Sequence, residues 1–450
     1  LTNFFAPCAA ANPLPYSPYC DPVTGLGSNP NSLPAAGVLS NAFLPCLSVL
    51  QGFVTNGTNN PTNDPTQTPI YANQAGCNGI ASIGDFALEV PRNFKVPSTQ
   101  QWNLTVQRDL GKLWVLEVGY VGTHAVHLRQ TSDAIQSLNA TPDTPVNVTD
   151  VNGVSYQIMA NTLSNAVART PTPGLNGYAG YQIFANNAYS HYNALQTTLS
   201  RRWSNGYVQV AYTYSKSTDA TSTGNTAFNT AFGDQSNINA SRGLSDFDRP
   251  HRLVISYVYD LPFYRDATGW KKHVLGGWGV SGVTIFQSGT PFSIFDSGSA
   301  TAFLGAGSTP LLPADLADGG SIGAGYTSGS VKDRLNGYVN INNFSTVPVL
   351  AENQAACVTD SNYCVSGFGN LGRNIYRGPF QQNWDFSILK NIRLTERQSL
   401  RFTTDFFNIW NHANFANPVS TDVESPGNFG FITSAKGVPR LIQFSLRYAF

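Results

Sequence analysis

The sequence predicts an all-β chain, an antiparallel up-and-down wall of strands long enough to cross a bilayer, with large loops along one rim. Three observations predict it. Segments near 10–14 residues with apolar side chains at every second position recur along the chain, whereas strands of soluble domains average about 5–6 residues. The connections between these segments alternate strictly between short and long. The composition agrees: 41 Gly and 27 Pro favour turns over helices, and only 12% of residues are charged against roughly 25% in an ordinary soluble domain.

Other classes are excluded early. With 26 basic and 26 acidic side chains the net charge is zero, so there is no basic face for nucleic acid. No run of about 18 apolar residues suits a membrane-spanning helix, and scattered Pro and Gly break any coiled coil. Position 1 is Leu1, without a basic stretch followed by an apolar one near it, and the start reads as a processed product or a piece of something longer. The six cysteines, Cys8, Cys20, Cys46, Cys77, Cys357 and Cys364, sit in Gly/Pro/Asn-rich stretches. An even count in loops reads as disulfide staples in an oxidising compartment, with pairings that sequence does not fix.

Residues 1–97 are rich in Pro, Asn, Gly and Thr without sustained periodicity, and 55–68 (TNGTNNPTNDPTQT) has almost nothing to bury. From position 98 the texture changes. Segment 98–110 puts Trp102, Leu104 and Val106 on one face and Gln101, Asn103, Thr105 and Gln107 on the other, the period of a strand with one apolar and one polar side. After Gly111, segment 112–124 alternates Trp114, Leu116, Val118 and Tyr120, completing a hairpin. Further strands are expected at 191–203, 206–217, 251–262, 277–287, 379–391, 398–410 and 438–450. A tilted strand needs about 9–11 residues to cross the apolar layer, so each is long enough. A hidden strand near 80–90 would bring the count from nine to ten.

The connections carry the topology. Gly111, 204–205, 263–276 and 392–397 are short or intermediate; 125–190, 218–250, 288–378 and 411–437 are long. In an up-and-down meander every second connection lies on the same rim, so one rim has turns and the other has large loops. Outer-membrane barrels have that asymmetry, with short periplasmic turns and long extracellular loops. The last segment is the sharpest signal. Ile442, Phe444, Leu446, Tyr448 and Phe450 alternate with Gln443, Ser445, Arg447 and Ala449, and Arg447 demands water on its side of the wall.

Several stretches together resemble the barrel of TonB-dependent outer-membrane receptors, specifically the Oar-like group. They are VPSTQQWNLTVQRDLG (96–111), VLEVGYVGTHAVHL (115–128), YNALQTTLSRRWSNGYVQVAYTYSKS (192–217), SDFDRPHRLVISYVYDLPF (245–263), GGWGVSGVTIFQSGTPFSI (276–294) and the run from Phe380 to Phe415. The resemblance implies that the strand ending at Phe450 is read by the barrel-assembly machinery. It also implies, for a full-length protein, a plug domain, a TonB energy-coupling complex and a small solute ligand as partners. Neither plug nor TonB box has a counterpart here, and about 22 strands would be expected, so the chain reads as the C-terminal part of a barrel, 98–450, behind an extracellular segment, 1–97.

Residues that could carry other chemistry are few. His124 and His127 form H-x2-H at a strand end, which reads as exposed rim histidines. Asp246, Asp248, Arg249 and His251 read as an ion-pair network at a loop base rather than a catalytic or calcium constellation. The loop holding Asp219 and Asp234 is a candidate ligand contact, but it has no EF-hand spacing. No nucleophile elbow, P-loop or zincin motif occurs, so no enzyme activity, metal or cofactor is expected. Trp102, Trp114, Trp203, Tyr207, Trp384 and Trp410 lie towards strand ends, where amphipathic rings form interfacial girdles. The expected function is energy-coupled uptake of a scarce solute across the outer membrane. The alternatives are a passive porin-like channel and a secreted β-sandwich adhesin or binding protein.

Overall fold

A computed structural model of the chain describes residues 87–89 and 94–450, apart from 134–135, 150–154, 163–164, 167, 172–180, 223–231, 265–266, 299–302, 304–311, 324 and 348–366. The six cysteines and most of 1–97 lie outside the described residues.

Nine long strands form one continuous sheet: β1 (Ser98–Gly111), β2 (Trp114–Asp133), β3 (Tyr181–Trp203), β4 (Gly206–Asp219), β5 (His251–Asp260), β6 (Trp278–Gln287), β7 (Gln381–Arg393), β8 (Ser399–Phe407) and β9 (Leu441–Ala449). Each pairs antiparallel with its neighbours in sequence, so the spatial order is the chain order, and β1 and β9 are the two edges of an open wall. This is the expected meander. The expected tenth strand near 80–90 lies mostly outside the described residues; its described part, Ala87–Glu89, makes a three-residue parallel contact on Tyr181–Ile183.

The turns match the sequence at one rim. At the first hairpin Gly111, Lys112 and Leu113 have φ of 81°, 52° and 69°, the left-handed conformations that let a tight turn follow strand twist. The Asp109 carboxylate accepts the Gly111 N–H at 2.7 Å. Two-residue Ser204–Asn205 closes β3 onto β4 with Trp203 opposite Gly206.

At the other rim two strands overrun expectation. β2 has 20 residues and β3 has 23, about twice a crossing length. Register shifts between Ala125 and Gln130, with His127 at φ 57°, interrupt the pair. Polar positions such as Gln130 and Thr131 hide the alternation there, which is why 125–190 reads as loop from sequence.

The hydrophobic core is not in the wall. Phe292, Ile294, Ala314, Val339, Phe344, Leu371, Tyr376, Val423 and Phe429 are buried together, and all belong to the third and fourth long loops. The third loop carries two small sheets of its own, Pro291–Phe292 with Tyr376–Arg377 and Asp315–Leu316 with Phe344–Ser345.

Candidate functional site: the polar face and its loop cap

Strand alternation and register sort the side chains into two faces. One row runs Leu104, Tyr120, Leu195 and Tyr214; the next runs Val106, Val118, Thr197, Tyr212, Leu253 and Phe286. Another ends the wall as Phe386, Phe406 and Ile442. The opposite face carries Thr105, Gln196 and Thr213 in one row and Ser387, Asp405 and Gln443 in another. Leu104, Val106, Phe444 and Leu446 are more than 60% exposed. A continuous apolar face open to its surroundings fits hydrocarbon, and the polar face fits water within a barrel.

Aromatic side chains sit at the two ends of the apolar face. Near the short turns, Arg201 lies between Trp114 and Trp203, its guanidinium carbon 5.4 and 5.5 Å from the ring centres. Trp203 also packs on Tyr259. Towards the long loops, Trp384 makes edge contacts with Phe286 and Trp410. Trp102 lies over Gly122, where a Cβ would overlap the indole Nε1. The C-terminal row continues this face: Phe444 stacks on Phe402, and Tyr448 on Phe450.

Tyr207 departs from the girdle expectation. It pairs with Arg202 and Val258 and so shares the face of Gln209 and Thr213. With a two-residue turn, Gly206 inherits the face of Trp203 and the next residue takes the other. The turn length decides the matter, not the aromatic character.

Above the polar face the long loops are laced into one cap. The first and second loops join where Gln136 donates to Asp234 at 2.9 Å and accepts from the Gln235 N–H at 2.9 Å. The second and third join through arginines. Arg373 pairs with Asp219 and, at 3.3 Å, with Asp246; its Nε donates to the Ser241 carbonyl at 2.8 Å. Arg377 pairs with Asp248, and Asn374 donates to Asp246 at 2.6 Å. The third and fourth join where Phe295 exchanges backbone bonds with Thr421 and Val423, and Ser297 donates to Asp422 at 2.7 Å. In the first loop, Arg169 is buried among the Leu138 and Thr162 carbonyls and Asn165, over the Phe303 ring. Burial lowers its pKa to about 10, so it stays charged at neutral pH.

Between the cap and the polar face an open cavity of about 580 Å³ lies near the β6–β9 end. Gln287, Gln381, Asn383, Asp385, Asn414 and Gln443 supply most of its polar lining, with Lys436 from the fourth loop. Several of these are already committed: Gln287 donates to Gln381, and Asn414 exchanges bonds with the Gln382 backbone. Amides, one carboxylate and one ammonium offer hydrogen bonds without a dominant charge. Sequence reading missed this site, because its residues come from four strands and a loop with no local motif.

The structure also places the other residues that the sequence singles out. Asp246 and Asp248 are the acids of the loop-base pairs just described. Arg249 donates to the Ser288 carbonyl at 2.6 Å instead, and His251 contacts the Tyr212 hydroxyl at 2.8 Å. Asp219 and Asp234 tie the cap together internally. His124 meets His191 of the neighbouring strand, ring on ring, with the Nδ1 atoms 3.0 Å apart, rather than His127. Among the described residues no three His, Cys, Asp or Glu side chains are placed to hold a metal ion.

Solved structures that the chain resembles include the outer membrane transporter YddB from Escherichia coli, at 10% identity and a TM-score of 0.40, covering 82% of this chain and 34% of that one. The siderophore receptor PirA from Acinetobacter baumannii is similar at 8% identity and a TM-score of 0.33, with 79% and 32% covered. For the pyoverdine outer membrane receptor FpvA from Pseudomonas aeruginosa PAO1 the values are 10%, 0.31, 79% and 30%. The chain thus spans about a third of the length of these structures. No curated protein is matched. The family model for the outer membrane beta barrel domain matches residues 26–443. With an apolar outer face, a polar inner face and loops gathered at one rim, the chain belongs to the outer membrane beta barrel domain family and is a protein of the bacterial outer membrane.

Proposed function

We propose that the chain forms part of the barrel of a TonB-dependent receptor that takes up a scarce solute with energy from the inner membrane. The observation that carries this reading is the laced cap. Four long loops joined in series over a polar face make a preformed outer vestibule, and a preformed vestibule suits capture of a dilute ligand. An open diffusion pore has no need of one. In this reading the polar face lines the path, the girdles hold the wall in lipid, and a plug domain with its TonB contact belongs to the full-length protein. The strand ending in Tyr448 and Phe450 serves recognition by the barrel-assembly machinery.

The test is uptake by cells that express the full-length gene, with ferric pyoverdine and a labelled oligosaccharide as probes, measured with and without a protonophore. Accumulation against a gradient that the protonophore abolishes is expected. Uptake that persists unchanged without proton-motive force would overturn the reading in favour of a passive channel. The cell's own TonB deletion gives the same contrast without a chemical agent.

A further inference from the structure

Among the turns of the short-loop rim, the connection between β5 and β6 stands apart. It holds a helix, α1 (Trp270–Leu275), none of whose residues is buried. Trp270 is 66% exposed, and Val274, Phe263 and Tyr264 are more than half exposed. The helix is nonetheless held in place. Trp278 Nε1 donates to the Val274 carbonyl at 3.1 Å, and Lys390 Nζ donates to the same carbonyl at 3.1 Å and to that of Gly276. Trp278 and Lys390 are register partners, and Lys390 is in turn opposite Phe402. Both therefore belong to the apolar face, and they fix the end of the helix where that face meets the rim.

Beside the helix, at the ends of β5, β6 and β7, opens a second cavity of about 460 Å³. Lys272, His273 and Arg393 line it with Tyr264, and Asp260 is the one carboxylate among its lining residues. Its basic groups outnumber its acid, whereas the chain as a whole is neutral. By register Arg393 and Asp260 belong to the polar face, and Trp278 and Ile392 to the apolar one, so the cavity straddles the end of the wall. Basic side chains there, next to unburied rings, match one kind of occupant. Rings with an apolar body and a polar edge settle at the headgroup level, and guanidinium and ammonium groups recognise phosphate oxygens.

We propose that this rim is a binding site for an anionic phospholipid. Trp270 and Val274 rest in the boundary between headgroups and acyl chains, while Lys272, His273 and Arg393 take the phosphodiester in the cavity. The helix then continues the apolar face of the wall onto the membrane surface, and the Lys390 and Trp278 bonds hold it in the plane of the headgroups. The inference rests on membership of an outer-membrane barrel family and not on energy-coupled uptake.

The test uses the full-length protein in nanodiscs in which either phosphatidylglycerol or phosphatidylcholine, at equal mole fraction, carries bromine on its acyl chains. Trp270→Phe is the control that isolates the emission of Trp270 by difference. Trp270 emission is expected to be blue-shifted and quenched several-fold more by brominated phosphatidylglycerol than by brominated phosphatidylcholine. The K272Q/R393Q variant, altered only at exposed positions, is expected to lose that preference while keeping its quenching by phosphatidylcholine. One basic side chain near an anionic surface gives roughly fivefold local enrichment, so the loss is well within range. Emission quenched by aqueous iodide and by neither lipid would overturn the proposal. Equal quenching by both lipids, or an unchanged preference in K272Q/R393Q, would overturn the headgroup site.

Discussion

Replacing Arg373 by Ala tests whether the loops are held as one cap. The Arg373 and Asp219 side chains are 8% and 4% exposed. Besides that pair, the guanidinium donates to the Ser241 carbonyl at 2.8 Å, the Asp219 carbonyl at 2.8 Å and the Ser222 hydroxyl at 3.2 Å. Removing one partner of a buried pair costs about 3–5 kcal/mol, because the other charge is left without compensation. The Ser222 hydroxyl still donates to the Asp219 carboxylate at 2.8 Å, which places the cost at the lower end of that range. The Asp246 side chain is 48% exposed, so its share is small. About 3 kcal/mol multiplies the population of the opened loop base by on the order of 100. Hydrogen exchange read by mass spectrometry on the folded protein in micelles is the assay. Amides of 217–219, 241–248 and 371–378 are expected to exchange much faster, with β6 to β9 unchanged. Arg373→Lys recovers only part of the protection, since a single ammonium does not span Asp219, Ser241 and Asp246 as a planar fork does. Exchange at 241–248 and 371–378 within about twofold of the parent protein would refute the reasoning.

Three further changes probe other parts of the wall and cap. Lys112→Asn with Leu113→Gly suits residues that sit at φ 52° and 69°; relief of the left-handed cost should raise unfolding stability by about 1 kcal/mol in a urea titration. Gly122→Ala drives a methyl group into the Trp102 indole, so near-ultraviolet circular dichroism should change and stability should fall by about 1–3 kcal/mol. Burial raises the pKa of Asp315 despite the bond from the Asn370 N–H. Its folded form holds the proton more tightly than the unfolded chain does, so its contribution is full below the ordinary carboxylate range and is lost as pH rises through the raised value. Protease resistance of 312–345 should therefore decline over that window in the parent protein, and Asp315→Asn should flatten the decline.

The wall was legible because a bilayer imposes a simple code. Every strand must present apolar side chains at alternate positions for its full crossing, and β9 from Ile442 to Tyr448 shows that code without interruption. Tyr207 shows its limit: after a two-residue turn the second residue of the new strand faces the lumen, so an aromatic at a strand end is not always on the lipid side. The distal parts of β2 and β3 were not legible, because beyond the bilayer both faces meet water or loop and the alternation lapses. The cap was hidden for another reason. Phe292, Val339, Leu371 and Phe429 come together from positions far apart in sequence, among Gly, Pro and Asn residues that read locally as turns. Asp246 and Asp248 were recognisable as a loop-base network, but their partners Arg373 and Arg377 lie more than a hundred residues away, and nothing in sequence pairs them.

The two halves of the molecule solve opposite solvation problems with different chemistry. In the wall, apolar side chains face one way, and from β2 to β8 the backbone groups are satisfied by a strand on either side, as hydrocarbon requires, while β1 and β9 each pair on one side only. Its stability depends on what surrounds it, since the residues that would form a core in water, such as Leu104 and Phe444, stand exposed on the lipid side. The cap works in water and must carry its own interior. Among the described residues it does so with two apolar clusters, the larger around Tyr376 and a smaller one of Phe303 and Leu312, and with the buried Arg169 and Arg373. Arginine suits that place because a rigid fork satisfies several carbonyls and a carboxylate at once from a single side chain. Arg373 does so with the Ser241 and Asp219 carbonyls and the Asp219 carboxylate, and Arg169, in another loop, takes the Leu138 and Thr162 carbonyls and the Asn165 side-chain oxygen. The division predicts separable failure. Loss of an arginine should loosen the vestibule while the wall stays folded, whereas a change of lipid should act on the wall first and leave the cap's ties intact.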